Sequence, residues 1–217
     1  MLELPLPLLA MTVMGIVAFA ASGAVAGARA GMDWLGVSTL AAVTAIGGGT
    51  LRDLLMVQTP GWLIDFWPTI TLIAITVIVV WIAARVFPWQ RHTTWMGRVF
   101  IFTDAIGLAA FTIVGTDIAR DAGFPAGPAV VLGVISGIGG GIIRDVLAGK
   151  RISIFDGEVY ALAAVAGSIT FILTQSFGEW VPFLTGVSVI LFIRLGAVAL
   201  GWQVPTLPTN SPHSREN

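Results

Sequence analysis

The chain has 217 residues, 56% of them hydrophobic and only 11% charged, and its 12 acidic and 11 basic side chains leave a net charge of −1. Soluble domains carry roughly 25% charged residues, so most of this chain must dissolve in lipid, and nothing in its charge suits nucleic acid. The absence of cysteine removes disulfides, thiolate metal sites and cysteine nucleophiles, and the two histidines, His92 and His213, fall in polar connections.

The N-terminus, Met1-Leu2-Glu3-Leu4-Pro5, carries no Lys or Arg ahead of the first apolar run. A cleaved signal peptide needs a positive start and a short apolar stretch. The run 6–28 is instead long enough to cross a bilayer at about 20 residues per crossing, and reads as a retained first span. Further apolar segments follow at 34–56, 66–87, 99–118, 127–147, 159–177 and 181–202. Arg194 lies near the last turn of the seventh, where a long side chain can snorkel to the interface. The stretch 205–217, PTLPTNSPHSREN, is Pro/Ser/Asn-rich and reads as a disordered tail. The expected organisation is one transmembrane domain, 1–204, with repeat 1 over about 6–88, repeat 2 over about 98–178 and a seventh helix over about 181–202.

Alternate connections hold Arg29, then Arg85, Arg91 and Arg98, then Lys150 and Arg151, then Arg215. The other set holds only Arg120, beside Asp121, with Asp65 and Glu179 elsewhere. The positive-inside rule makes the first set cytoplasmic, which puts the N-terminus outside and the C-terminus inside. Trp62, Trp67, Trp89, Trp95, Trp180 and Trp202 fall at span ends, as an interfacial belt requires.

The second span contains Gly47-Gly48-Gly49-Thr50-Leu51-Arg52-Asp53-Leu54-Leu55, and the fifth contains Gly139-Gly140-Gly141-Ile142-Ile143-Arg144-Asp145-Val146-Leu147. The offset, 139 − 47 = 92, extends without a gap: Gly15, Phe19, Gly23, Gly31 and Ile46 correspond to Gly107, Phe111, Gly115, Gly123 and Ile138. Each repeat covers three spans, an odd number, so the second copy sits upside down relative to the first. The expected fold is an all-α polytopic membrane protein of seven transmembrane helices, built as two inverted three-helix repeats plus a seventh helix.

Ionised groups in hydrocarbon cost roughly 2.5–3.5 kcal/mol each, and paired irregularities in two inverted halves point to a transport pathway. Three glycines in a row permit a kink or an unwound turn, whose freed carbonyls could replace part of a cation's hydration shell. A half-helix N-terminus would instead attract a carboxylate, and the motif alone permits either. Adjacent Arg52 and Asp53 point about 100° apart on a helix and do not face each other. The expectation is therefore cross-repeat pairing, Arg52 with Asp145 and Arg144 with Asp53. Asp104, near the start of the fourth span, belongs either to the same polar network or to the interface. Small residues at every fourth position, such as Ala41, Ala45 and Gly49, or Gly133, Gly137 and Gly141, suit close helix packing. Enzyme readings fail: Gly149-Lys150 is followed by Arg151, not Ser or Thr, and no HExxH or GxSxG motif occurs. No cofactor is implied.

A seven-span chain with GGGxxRD in its second and fifth spans resembles the bacterial relatives of the trimeric intracellular cation (TRIC) channels, over nearly its whole length to about Trp202. The resemblance implies a homotrimer in the bacterial inner membrane, each protomer with its own pore lined by kinked second and fifth helices. It implies conduction of monovalent cations, chiefly potassium with little discrimination against sodium, with the lipid bilayer as a partner. It makes Gly47, Gly48, Gly49, Gly139, Gly140 and Gly141 shape the pore, with Arg52, Asp53, Arg144 and Asp145 beside it and Thr44, Thr50 and Ser136 as candidates for its wall. Bacterial proteins of this broad group are also associated with uptake of small amino acids, glycine in particular. The alternative is thus a secondary transporter in which the arginines hold a carboxylate.

Overall fold

A computed structural model of the chain describes residues 4–86, 93–150 and 159–202. The expected tail, 205–217, lies outside these residues, as do Trp89, Arg91, His92, Arg151, His213 and Arg215. The described residues form helices and their connections, with no strand among them.

The helices are α1 (Leu6–Arg29), α2 (Trp34–Leu55), the single turn α3 (Gly61–Ile64), α4 (Phe66–Val86), α5 (Thr93–Asp121), α6 (Ala126–Leu147), α7 (Ala161–Thr174) and α8 (Val181–Leu200). Six are long and apolar enough to cross a membrane, and α7 with the 3-10 turn that prolongs it forms a seventh, shorter apolar segment, Ala161–Phe177. The expected spans match closely except at α5, which begins at Thr93 rather than near 99 and runs for 29 residues. Hydropathy marks where lipid begins, whereas backbone hydrogen bonds carry the helix on through Trp95 and Arg98 into the polar zone.

Small residues decide how the halves meet. A Cβ on Gly15 of α1 would press on the Phe111 ring, and one on Gly107 of α5 would press on the Phe19 ring. The two rings lie 5.4 Å apart between them. These four residues are two repeat-equivalent pairs, so the contact is reciprocal, as a pseudo-two-fold axis between antiparallel halves requires. The α2/α6 crossing repeats the pattern. A Cβ on Gly48 would strike the Ser136 carbonyl and one on Gly140 the Thr44 carbonyl, and Ser136 is the counterpart of Thr44. Backbones can approach this closely only where side chains are absent.

Both second helices also end alike. Gln58 N–H donates to Asp53 O and Lys150 N–H to Asp145 O, each at 2.9 Å, the six-to-one bond of a Schellman cap. The left-handed residue of that cap is Gly149 (φ 64°) in one half but Val57 (φ 56°) in the other. A β-branched residue there is strained. Outside the repeats, α8 closes the bundle by packing on α7, with Phe171 and Phe183 edge to face at 5.2 Å. Helix α4 is the peripheral member: only Thr69, Ile73 and Thr76 are buried, and Ile75, Ile78, Val79 and Ile82 face outward, as lipid contact demands.

The triple glycines do not interrupt their helices. Residues 47–49 and 139–141 are helical without a break, so no carbonyls are released for an ion. The glycines serve the approach of the two helices instead of unwinding them. This corrects the expectation of an unwound turn.

Candidate transport pathway

The α2/α6 crossing sets the geometry of both Arg–Asp pairs. Each arginine follows its crossing glycine by four residues, about 6 Å along the helix at 1.5 Å per residue. Because the helices are antiparallel, the two arginines depart in opposite directions and end up on opposite sides of the crossing. Cross-repeat pairing of Arg52 with Asp145 and of Arg144 with Asp53 is therefore not formed. Each arginine instead folds back on its own neighbour: Arg52 Nε and Nη2 lie 2.8 and 2.6 Å from Asp53 Oδ1, and Arg144 Nε and Nη2 lie 2.9 and 2.8 Å from Asp145 Oδ1. The Cβ directions diverge as expected, but the guanidinium stem is long enough to return.

The first pair stands beside an open space. Arg52 Nη1 reaches Ser136 Oγ at 3.4 Å, and Asp53 Oδ2 accepts from Gly61 N–H at 2.9 Å. A cavity of about 320 Å³ lies against them, bounded by Thr12 and Ile16 of α1, Ala45 and Gly49 of α2, Trp62 of α3 and Phe111 of α5, with Asp65 also at its wall. Thr50 Oγ1 donates to Ile46 O and accepts from Trp62 Nε1–H at 3.0 Å.

The second pair is enclosed. Arg144 is fully buried; besides Asp145, its Nη1 donates to Asp104 Oδ1 at 2.5 Å and to Ser22 Oγ at 2.7 Å. Tyr160 O–H donates to Asp104 Oδ1 at 3.3 Å, and the Arg144 guanidinium sits 4.5 Å from the Phe100 ring centre. Arg194 of α8 lies 4.8 Å from the Tyr160 ring, tying the helix outside the repeats to this network. Arg29 and Lys150 flank the same Phe100 ring at 5.6 and 5.9 Å. The Lys150 ammonium is held below its ordinary pKa by burial first, then by the Arg29 and Arg144 charges.

The expected site residues thus separate into three groups. Gly49, Thr50, Arg52, Asp53 and Ser136 gather at the first pair; Gly141, Asp104, Arg144 and Asp145 gather at the second; Gly47, Gly48, Gly139, Gly140 and Thr44 form the crossing between them. Thr44 Oγ1 donates to Leu40 O at 2.5 Å and packs against Gly23 of α1, so it serves packing. Asp104 belongs to the polar network, not the interface. Sequence reasoning missed Ser22, Phe100 and Tyr160, and read Trp62 as a belt residue. Ser22 and Tyr160, the chain's one tyrosine, were the visible signals: isolated polar groups within or beside apolar runs.

Fold and site together define an integral membrane protein built from two inverted three-helix repeats around a pair of buried arginine–carboxylate stations. A family model described as "Glycine transporter" matches the chain twice, over residues 9–85 and 101–176, whose starts are again 101 − 9 = 92 residues apart. A UPF0126 membrane protein of Vibrio cholerae is 39% identical over 198 residues, covering 88% of this chain and 79% of its own. Among solved structures, a chain from work on conductance through TRIC cation channels is 33% identical with a TM-score of 0.76, covering 93% of this chain and 97% of that one. The TRIC trimeric intracellular cation channel orthologue from Rhodobacter sphaeroides is 27% identical with a TM-score of 0.81, covering 90% and 98%. The chain belongs to the TRIC family, with the UPF0126 membrane proteins among its relatives.

Proposed function

We propose that the protein is a potassium-permeable channel for monovalent cations. It works as a homotrimer in the bacterial inner membrane, N-terminus outside and C-terminus cytoplasmic, with one pathway per protomer along the α2/α6 crossing. No resident cofactor is needed; potassium and sodium are the cargo, and lipid surrounds the trimer.

One observation carries this reading. Arginines beside a cation pathway repel the cargo unless neutralised, and both are: Arg52 is bound by Asp53, and Arg144 by Asp145 and Asp104. The likeness to solved TRIC cation channels supports the same conclusion. The test is a planar bilayer under a KCl gradient with the purified protein, alongside Asp53→Asn and Asp145→Asn. Discrete openings reversing near the potassium potential, and altered in both variants, are the expected result.

A second reading is favoured by the glycine-transporter description of the family model and by Arg52 at the wall of the cavity. There a guanidinium and two carboxylates could hold the two ends of a small zwitterion such as glycine, with alternating access about the inverted repeat. A silent bilayer combined with counterflow of labelled glycine would replace the channel reading with this one.

A further inference from the structure

Trp62 differs from the other tryptophans at the span ends. Trp67, Trp95 and Trp202 stand out from the bundle, 76%, 56% and 46% exposed, whereas Trp62 is half-buried. Its indole N–H turns inward to Thr50 Oγ1. One residue earlier, the Gly61 N–H is bound by Asp53 Oδ2. Two hydrogen bonds from a helix of a single turn therefore clamp α3 to the motif face of α2. The wall they fix is a wall of the 320 Å³ cavity, to which Gly61, Trp62, Ile64 and Asp65 all contribute.

The position matters as much as the bonds. Helix α3 joins the C-terminal end of α2 to the start of α4, so it stands at the end of the bundle. A group approaching the cavity from that face passes α3. An indole is rigid and large, and a satisfied N–H leaves it one orientation. A leucine or a lysine at the same place could swing aside; a clamped tryptophan cannot. The clamp also belongs to one half only, because the counterpart of Thr50 is Ile142, which has no hydroxyl.

We propose that Trp62, held by Thr50, is the size-limiting wall of this cavity, admitting small monovalent cations or ammonium-sized groups and refusing bulkier ones. The inference rests on the cavity being part of the transport pathway, under either reading of the cargo.

The chain has no cysteine, so Thr12→Cys places a single thiol on the cavity wall with little change of volume. In proteoliposomes, its rate of modification is measured with 2-aminoethyl methanethiosulfonate and with the bulky 3-(triethylammonium)propyl methanethiosulfonate, which share one charge and differ in size. With Trp62 in place, the small reagent reacts about tenfold faster than the bulky one. W62A removes most of that preference by accelerating the bulky reagent about tenfold, and leaves the small-reagent rate within about twofold. T50V, which frees the indole without shrinking it, falls between, and decides the matter if W62A does not fold. A ratio near one before any change at Trp62, or a ratio unmoved by both variants, overturns the proposal. The readout does not depend on current: a silent bilayer defeats the channel reading and leaves this ratio to be judged on its own.

Discussion

Arg52 and Arg144 hold equivalent places in the two halves, 92 residues apart, each paired with the aspartate that follows it. Around them the halves have diverged. Arg144 is fenced by Asp104, Ser22 and Phe100, with Tyr160 behind Asp104. The repeat counterparts of Asp104, Ser22 and Phe100 are Thr12, Val114 and Leu8, none of which can take the same part. Arg52 has one hydroxyl, Ser136, and a cavity at its side. The duplication preserved the helix crossing and the ion pair, while the surrounding side chains left one station enclosed and the other, still buried, beside a cavity.

The difference between the stations can be broken by mutation. Asp104→Ala takes one of two carboxylates from a guanidinium with no access to water and should cost about 3–5 kcal/mol, read as a lowered unfolding midpoint in detergent micelles. Asp53→Ala should cost clearly less, because water in the adjoining cavity can solvate Arg52. Equal losses would mean the two sites are equally dry. At the crossing, Gly48→Ala and Gly140→Ala force the helices apart and should each cost about 1–3 kcal/mol. Gly49→Ala, whose Cβ would meet only Arg52 Nη2 at 3.9 Å, should be neutral or slightly stabilising. A Gly49→Ala loss as large as that at Gly48 would show that all three glycines are needed for something other than approach.

The caps sharpen the contrast on a smaller scale. Val57→Gly relieves the left-handed strain of the first half and should stabilise it by about 1 kcal/mol. Gly149→Val, the reverse change in the second half, should destabilise by a similar amount, both measured by thermal unfolding. Tyr160→Phe deletes one long hydrogen bond to Asp104 and should cost about 0.5–1.5 kcal/mol. That value should vanish in an Asp104→Ala background, which has no acceptor, if the bond is its only cause.

Seven apolar segments, their inverted order and the duplicated motif were all legible in the sequence, because lipid enforces composition and a duplication leaves a fixed offset. The reciprocal fit of Gly15 with Phe111 and Gly107 with Phe19 was anticipated as a correspondence, though not as a contact. Two things escaped for a common reason. An unwound turn was one of the two conformations expected of the glycines, and the arginines were expected to reach across the crossing. Both errors came from treating the motif as a local device. Where α2 and α6 cross is a tertiary fact, and it decides that glycine means proximity and that Arg52 and Arg144 part company. Their partners were hidden for a plainer reason: Ser22 and Phe100 reach Arg144, and Tyr160 reaches Asp104, at sequence distances no pattern reports. The bond from Trp62 to Thr50 was not legible either, because a tryptophan at a span end carries no sign of where its indole N–H points.

The interlocking of Phe19 with the gap at Gly107 also sets an order of events during synthesis. The partner that fills the inner face of α1 is α5, and Phe19 and Phe111 are separated by 111 − 19 = 92 residues. At about 5–20 residues per second, the ribosome leaves that face without its partner for about 5–18 seconds. By the end of that interval the three spans of the first half, α1, α2 and α4, have been made as half an interface, with lipid tails where the second half will later press.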